Sequence, residues 1–186
     1  MFRNTTLWIV VLLSAISLSM ACGGQLEEGN KLVNEANAAI DKAKAADAKI
    51  NSISKELLGD GWVNAEDNAK YFADNKAKVD ELLGLDEQNA KLMNEAAGKF
   101  EQASKMNLES KFKEYLGLKA QEFKKRADKY SAEASFLKSV SVEKDNENAG
   151  KLGQEFTKKN ADLIKEANDL GEKAEKIAKD NPTLFK

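Results

Sequence analysis

Apolar residues step through most of this chain at intervals of three and four. Between positions 25 and 58 they fall at Leu32, Ala36, Ala39, Ala43, Ala46, Ile50, Ile53 and Leu57. That is one face of an α-helix, held over about five heptads. A second stripe, Ala69, Phe72, Val79, Leu83, Ala90, Met93, Ala97 and Phe100, predicts a helix over 65–105. Gly84-Leu85 interrupts it, yet the apolar phase persists from Leu83 to Ala90, so a continuous or kinked helix is expected. The third stripe, Leu108, Phe112, Leu116, Ala120, Phe123, Ala127, Tyr130, Ala134 and Leu137, predicts 108–140. The fourth, Ala149, Leu152, Phe156, Leu163, Ala167, Leu170, Ala174 and Ile177, predicts 148–179.

Between the stripes lie turn signals. Gly59-Asp60-Gly61 ends the first segment, and Met106-Asn107 is where the phase slips before the third. The polar stretch Val140–Asn148 separates the last two, and Asn181-Pro182 ends the fourth. Asn64 and Asn107 are the expected N-caps, with Glu66 and Asp67 in the first turn of the second helix, where the helix dipole favours acids. A single stripe cannot bury itself. Four segments of similar length with short connections therefore predict an all-α domain over 25–181, an elongated, coiled-coil-like, antiparallel up-down four-helix bundle, followed by a tail at 182–186. Polar substitution at Phe123 or Leu163 is expected to be costly. Trp62, in the first turn region, is either a plug closing one bundle end or an exposed tip contact. Up-down topology would place it at the same end as the 139–148 loop and would return Lys186 to the end where the first helix begins.

Two echoes are internal: Lys31–Ala36 recurs at Lys91–Ala96, and Glu81–Leu85 recurs at Glu114–Leu118, 33 residues on. The second spacing resembles that of tetratricopeptide repeats, but the rest of that signature is missing and long rods suit the chain better.

Composition removes whole classes of chemistry. The sequence has no histidine, which excludes Glu-x-x-His di-iron sites and His-based catalytic triads. Ser52-x-x-Lys55 and Ser135-x-x-Lys138 match the serine–lysine spacing of penicillin-recognising enzymes, but the companion Lys-Thr-Gly and Ser-Asp-Asn motifs are absent. Asp60–Glu66 and Asp145–Asn148 offer oxygen ligands without the alternating acid spacing of an EF-hand, and read as turns and caps. Without residues 1–21, which hold Arg3 and no acid, 28 basic and 31 acidic residues remain. This balance gives no electrostatic footprint for nucleic acid. No catalytic residue, metal or cofactor is expected.

The first residues are of another kind. Met1–Thr6 carries one positive charge, Leu7 to Ile16 is apolar, and Leu18-Ser19-Met20-Ala21-Cys22 ends in the chain's only cysteine. A basic head, a short apolar core and small residues at a cut describe a signal peptide over 1–21. The apolar core is too short for a bilayer, which takes roughly 20 residues. A cysteine just beyond the cut resembles the lipobox of bacterial prolipoproteins, although Ser19 occupies the usual leucine position and Leu18 is one place further back. That resemblance implies acylation of Cys22 with diacylglycerol and an amide-linked chain such as palmitate, with residues 22–24 as the lipidated cysteine and a short tether. It also implies a membrane partner through that lipid, in the cell envelope; Gly23 after the cysteine points to the outer membrane. Cys22 and Lys186 also resemble the two ends of the murein lipoprotein, whose terminal lysine is joined to peptidoglycan. The expected role is non-enzymatic: a helical surface for a protein partner, or a structural or assembly part. The alternatives are a module binding a small molecule or lipid between helices, and a surface adhesin or antigen. A homo-oligomer is open, since helical stripes can also pair between chains.

Overall fold

The computed structural model describes residues 23–59, 62 and 67–185, and these are helical almost throughout, with no strand among them. The helices are α1 (Gly23–Leu57), α2 (Asn68–Asp74), α3 (Lys76–Ser104), α4 (Ser110–Val140) and α5 (Asn146–Asp180), followed by a 3₁₀ turn at Pro182–Phe185. Cys22, residues 1–21 and Lys186 lie outside the described residues, as does Asn64.

Of the two expected N-caps, Asn64 lies outside the described residues, and Asn107 gives way to another residue. Asp67 caps α2, its carboxylate accepting from the Lys70 N–H at 2.9 Å. Glu109 rather than Asn107 caps α4, accepting from the N–H groups of Lys111 (2.7 Å) and Phe112 (3.1 Å). Asp145 caps α5 through Glu147 and Asn148. In each case an acid is the acceptor, and its charge also favours the helix N-terminus. The expected second helix is broken, but at Asn75 and not at Gly84, through which α3 runs without interruption. Asn75 sits at φ −104°, ψ 19°, and its side-chain amide donates to the Tyr71 carbonyl at 2.9 Å. Such local side-chain bonding competes with the helical ladder, and a glycine whose helix is held by buried neighbours does not.

Extensive contacts join α1 to α3, α3 to α4, and α4 to α5. Residue numbers run in opposite order across each pair. Glu35 meets Lys99 while Glu56 meets Lys78 across α1–α3. Asn94 meets Lys124 while Glu87 meets Lys138 across α3–α4. Phe156 meets Phe136 while Glu166 meets Lys125 across α5–α4. Helices α1 and α5 do not pair extensively with each other.

The core is one cluster, and α4 is its centre, burying Phe112, Leu116, Phe123, Ala127, Tyr130 and Leu137 among others. Helix α1 buries the predicted Ala36, Ala39 and Ala43 together with Val33 and Ile40, which lie beside the stripe, while Ala46 is partly buried. The α5 contribution departs from expectation: its buried residues are Ala149, Gly153, Ala167, Gly171 and Ala174, while Leu163 and Leu170 are only partly covered. Small residues on α5 let its backbone approach α4 closely, but they leave the larger side chains at the edge of the contact. The segment after α5 is not a free tail. Phe185 packs edge-on against Phe112 (5.6 Å) and Tyr115 (4.8 Å).

Candidate functional site

At one end of the molecule the α3–α4 connection meets the start of α1: the Gln25 side chain accepts from the Asn107 N–H at 3.1 Å, and Leu108 lies against Gly29. With Phe185 on Phe112, both ends of the described chain gather here. The first described residue, Gly23, already belongs to α1, so the short tether expected over 22–24 is corrected: the chain is helical from Gly23 on.

The opposite end is closed by Trp62. Its exposure is 8 %, so the tip-contact role is corrected: the indole is a plug. It packs against Phe72 (6.2 Å between ring centroids) and Phe136 (5.9 Å), and Phe136 stacks on Phe156 at 4.5 Å. Asn68, buried at the start of α2, donates to the carbonyls of Val140 (2.8 Å) and Glu143 (3.1 Å). The start of α2 and the α4–α5 connection are therefore in direct contact. Among the described residues of the α4–α5 connection, Val142 is an exposed large apolar side chain.

Two polar groups interrupt the apolar interior, and sequence reading missed both. The first lies between α4 and α5. Glu122 accepts from Lys119 at 2.7 Å and from Arg126 at 2.9 Å, and both Lys119 and Glu122 are buried. The Lys119 ammonium also lies over the Phe123 ring, 5.0 Å from its centroid. On the other side the Glu122 carboxylate rests on Gly171, where an added Cβ would come within 3.2 Å of it.

The second group lies where α1, α3 and α4 meet. Asn89 donates to the Ala43 carbonyl (3.0 Å) and to Asp47 (3.2 Å), and Tyr130 donates to the same Asp47 oxygen at 2.6 Å. Ser54 and Lys129 both donate to Glu133, at 2.8 and 3.0 Å. Asp86 is fully buried beside them. Burial, and after it the charge of Glu133, push its carboxyl up to about 8, against the pull of Lys129. Burial together with the bond to Asp47 drives the Tyr130 hydroxyl upward as well. Both groups were invisible to a periodicity reading because a charged residue at a core position reads as a solvated one.

A groove of about 600 Å³ runs along α3 and α4, with Leu170 of α5 at its edge. Ala97, Gly98, Gly117 and Ala120 form part of its wall, with Glu101, Lys124 and Lys125 also lining it. The Ser135/Lys138 spacing assembles no nucleophile: Ser135 donates to the Ser131 carbonyl and Lys138 to Glu87. Among the described residues no group of three or more Cys, Asp or Glu is placed to hold a metal ion, and no helix is long and apolar enough to cross a membrane. Compared with protein-family models, with curated proteins and with solved structures, the chain matches none.

Proposed function

We propose that the chain is a lipid-anchored, non-enzymatic protein of the bacterial cell envelope. It would present a helical body to a protein partner, as an adaptor, assembly factor or structural spacer. One observation carries this reading: the acylation-type sequence ends at Cys22, and α1 begins at the next residue and runs 35 residues unbroken. That is roughly 50 Å of rod joined to the lipid without a flexible linker. In this reading residues 1–21 are removed, and Cys22 carries a diacylglyceryl group and an amide-linked acyl chain. Two or more chains make a stable anchor where one is marginal. The outer membrane is the proposed site.

The four long helices form an elongated antiparallel up-down bundle, open along the α1–α5 side. The opposite numbering order across each helix pair supports that arrangement. The Trp62 end then points away from the membrane, and Lys186 returns toward it, which counts against a link from Lys186 to peptidoglycan. With Trp62 buried, partner contact falls to the charged helix faces.

Radioactive fatty-acid labelling and membrane fractionation of the wild type and Cys22→Ser test the anchor. Label and membrane retention should both be lost in the variant; an unchanged membrane fraction sinks the proposal. Crosslinking in intact membranes, followed by pull-down, should then return an envelope protein.

A second reading, a module binding a small molecule or lipid, is favoured by the groove beside Gly98 and Gly117. Its volume of about 600 Å³ lies within the usual range of ligand sites, roughly 300–1,000 Å³.

A further inference from the structure

The layer where α1, α3 and α4 meet is short of hydrogen-bond donors. The Asn89 amide is committed to Ala43 and Asp47, the Tyr130 hydroxyl to Asp47, and Ser54 and Lys129 to Glu133. What is left over is acceptors. Both carboxylate oxygens of Asp86 and the side-chain oxygen of Asn89 are buried with no hydrogen-bond partner. Asp86 and Asn89 stand three residues apart on α3, so their side chains are neighbours on one helix face. A buried acceptor without a donor is costly, and a buried anion without a cation is more so. The charged and titratable groups facing Asp86 are Glu133, Lys129 and Tyr130 from α4, with Asp47 of α1 behind Asn89 and Tyr130. Lys129 is the only cation of these, and it is already bound to Glu133.

We propose that Asp86 is a proton-binding site inside the molecule. Its carboxyl carries hydrogen at neutral pH, and that O–H is the donor the layer lacks. Asn89 Oδ1, one turn along α3 on the same face, is the unpartnered acceptor we assign to it. Loss of the proton places a second negative charge beside Glu133 and loosens the seam between α3 and α4. The raised carboxyl described above agrees with this placement.

The direction of the pH dependence follows. Unfolded, Asp86 ionises near its ordinary 3.8, while in the folded chain it does so near 8. Between those values the folded state holds a proton that the unfolded state has released. The contribution of Asp86 to stability is therefore undiminished below about pH 4, declines as the pH rises to about 8, and is level beyond. Ionisation of Tyr130 does not enter this window, since its hydroxyl is displaced upward from 10.0.

Infrared difference spectra of the purified chain against Asp86→Asn test the proton directly. A protonated carboxylic acid band is expected in the wild type at about pH 6, absent from the variant and lost from the wild type by about pH 10. Thermal unfolding between about pH 4 and 8 should show the wild type falling relative to Asp86→Asn as the pH rises, with no further relative change above about pH 8. Parallel curves with no acid band overturn the proposal. So does a wild-type chain whose alkaline stability rises with added Na⁺, K⁺ or Ca²⁺ while the variant's does not, because a cation would then be the occupant. Should Asp86→Asn fail to fold, carbon-13 carboxyl titration of aspartate-labelled wild type decides alone. One resonance with a midpoint near 8 supports the assignment, and a full set titrating below about pH 5 overturns it.

Discussion

The indole of Trp62 rests on the backbone of Gly153, so closely that a Cβ there would lie 2.7 Å from Cη2 and 3.0 Å from Cζ2. The glycine is therefore part of the plug. Helix propensity alone would favour Gly153→Ala by about 1 kcal/mol, but overpacking a held aromatic ring costs about 1–3 kcal/mol. The variant should be less stable than the wild type, with a shifted tryptophan emission. Trp62 is the only tryptophan after residue 8, so emission from a chain lacking residues 1–21 reports it without interference. Gly150→Ala, one turn away, meets nothing within 4 Å and should raise stability by about 0.5–1 kcal/mol with the emission unchanged. Chemical denaturation followed by fluorescence checks both. Stabilisation of equal size at the two positions would refute the plug.

Core position decides the cost of losing a large side chain. Phe123 is 5 % exposed, stacks on Phe100 at 5.6 Å and lies under the Lys119 ammonium. Phe123→Ala should cost about 3–5 kcal/mol. Leu163 falls on an equally regular stripe but is partly exposed and does not belong to the core cluster. Leu163→Ala should cost about 1 kcal/mol or less, since truncation there opens to solvent and leaves no cavity. Urea midpoints of the two variants should differ accordingly.

The contrast between those residues shows what the pattern of apolar positions could and could not disclose. Nearly every residue of the α4 stripe, from Phe112 to Leu137, is buried as its spacing predicted, because α4 is covered by neighbours on more than one side and nearly every apolar residue it has is used. The α5 stripe has equally regular spacing, yet only its alanines and glycines reach the interior. Periodicity reports which face turns inward, and residue size reports how near the partner helix comes. The break at Asn75 was legible only as chemistry, in an amide that can reach back to Tyr71. Asp86, Asn89, Lys119, Glu122 and Glu133 were hidden for a further reason: their burial depends on partners from other helices, which a one-dimensional pattern does not bring together. Trp62 was legible as either a plug or a tip contact, and Phe72, Phe136 and Gly153 around it decide for the plug.

Between α4 and α5 the arrangement is a buried acid shared by two cations. Removing the Glu122 charge strands the Lys119 ammonium, which is 3 % exposed. Breaking such a pair from one side costs about 3–5 kcal/mol, while replacing both partners by apolar groups of similar volume is often neutral. Glu122→Leu should therefore be strongly destabilising, and adding Lys119→Met to it should recover much of the loss. A double-mutant cycle by thermal unfolding measures the coupling. Additive losses would mean that the two charges act independently.

Gly98 and Gly117 separate a structural reading of the groove from a binding one. An added Cβ meets nothing within 4 Å at either position, and both residues line the groove. Glycine in a helix interior is less favourable than alanine by about 0.5–1 kcal/mol. Packing therefore gives no reason for glycine here, and Gly98→Ala with Gly117→Ala should raise stability by about 1–2 kcal/mol together. Were the groove a ligand site, the same two methyl groups would narrow it. An environment-sensitive apolar dye titrated into the purified chain should then bind the wild type and lose affinity in the double variant, even as its melting temperature rises. Equal dye binding by both chains would remove the small-molecule reading and leave the groove as surface relief between two helices.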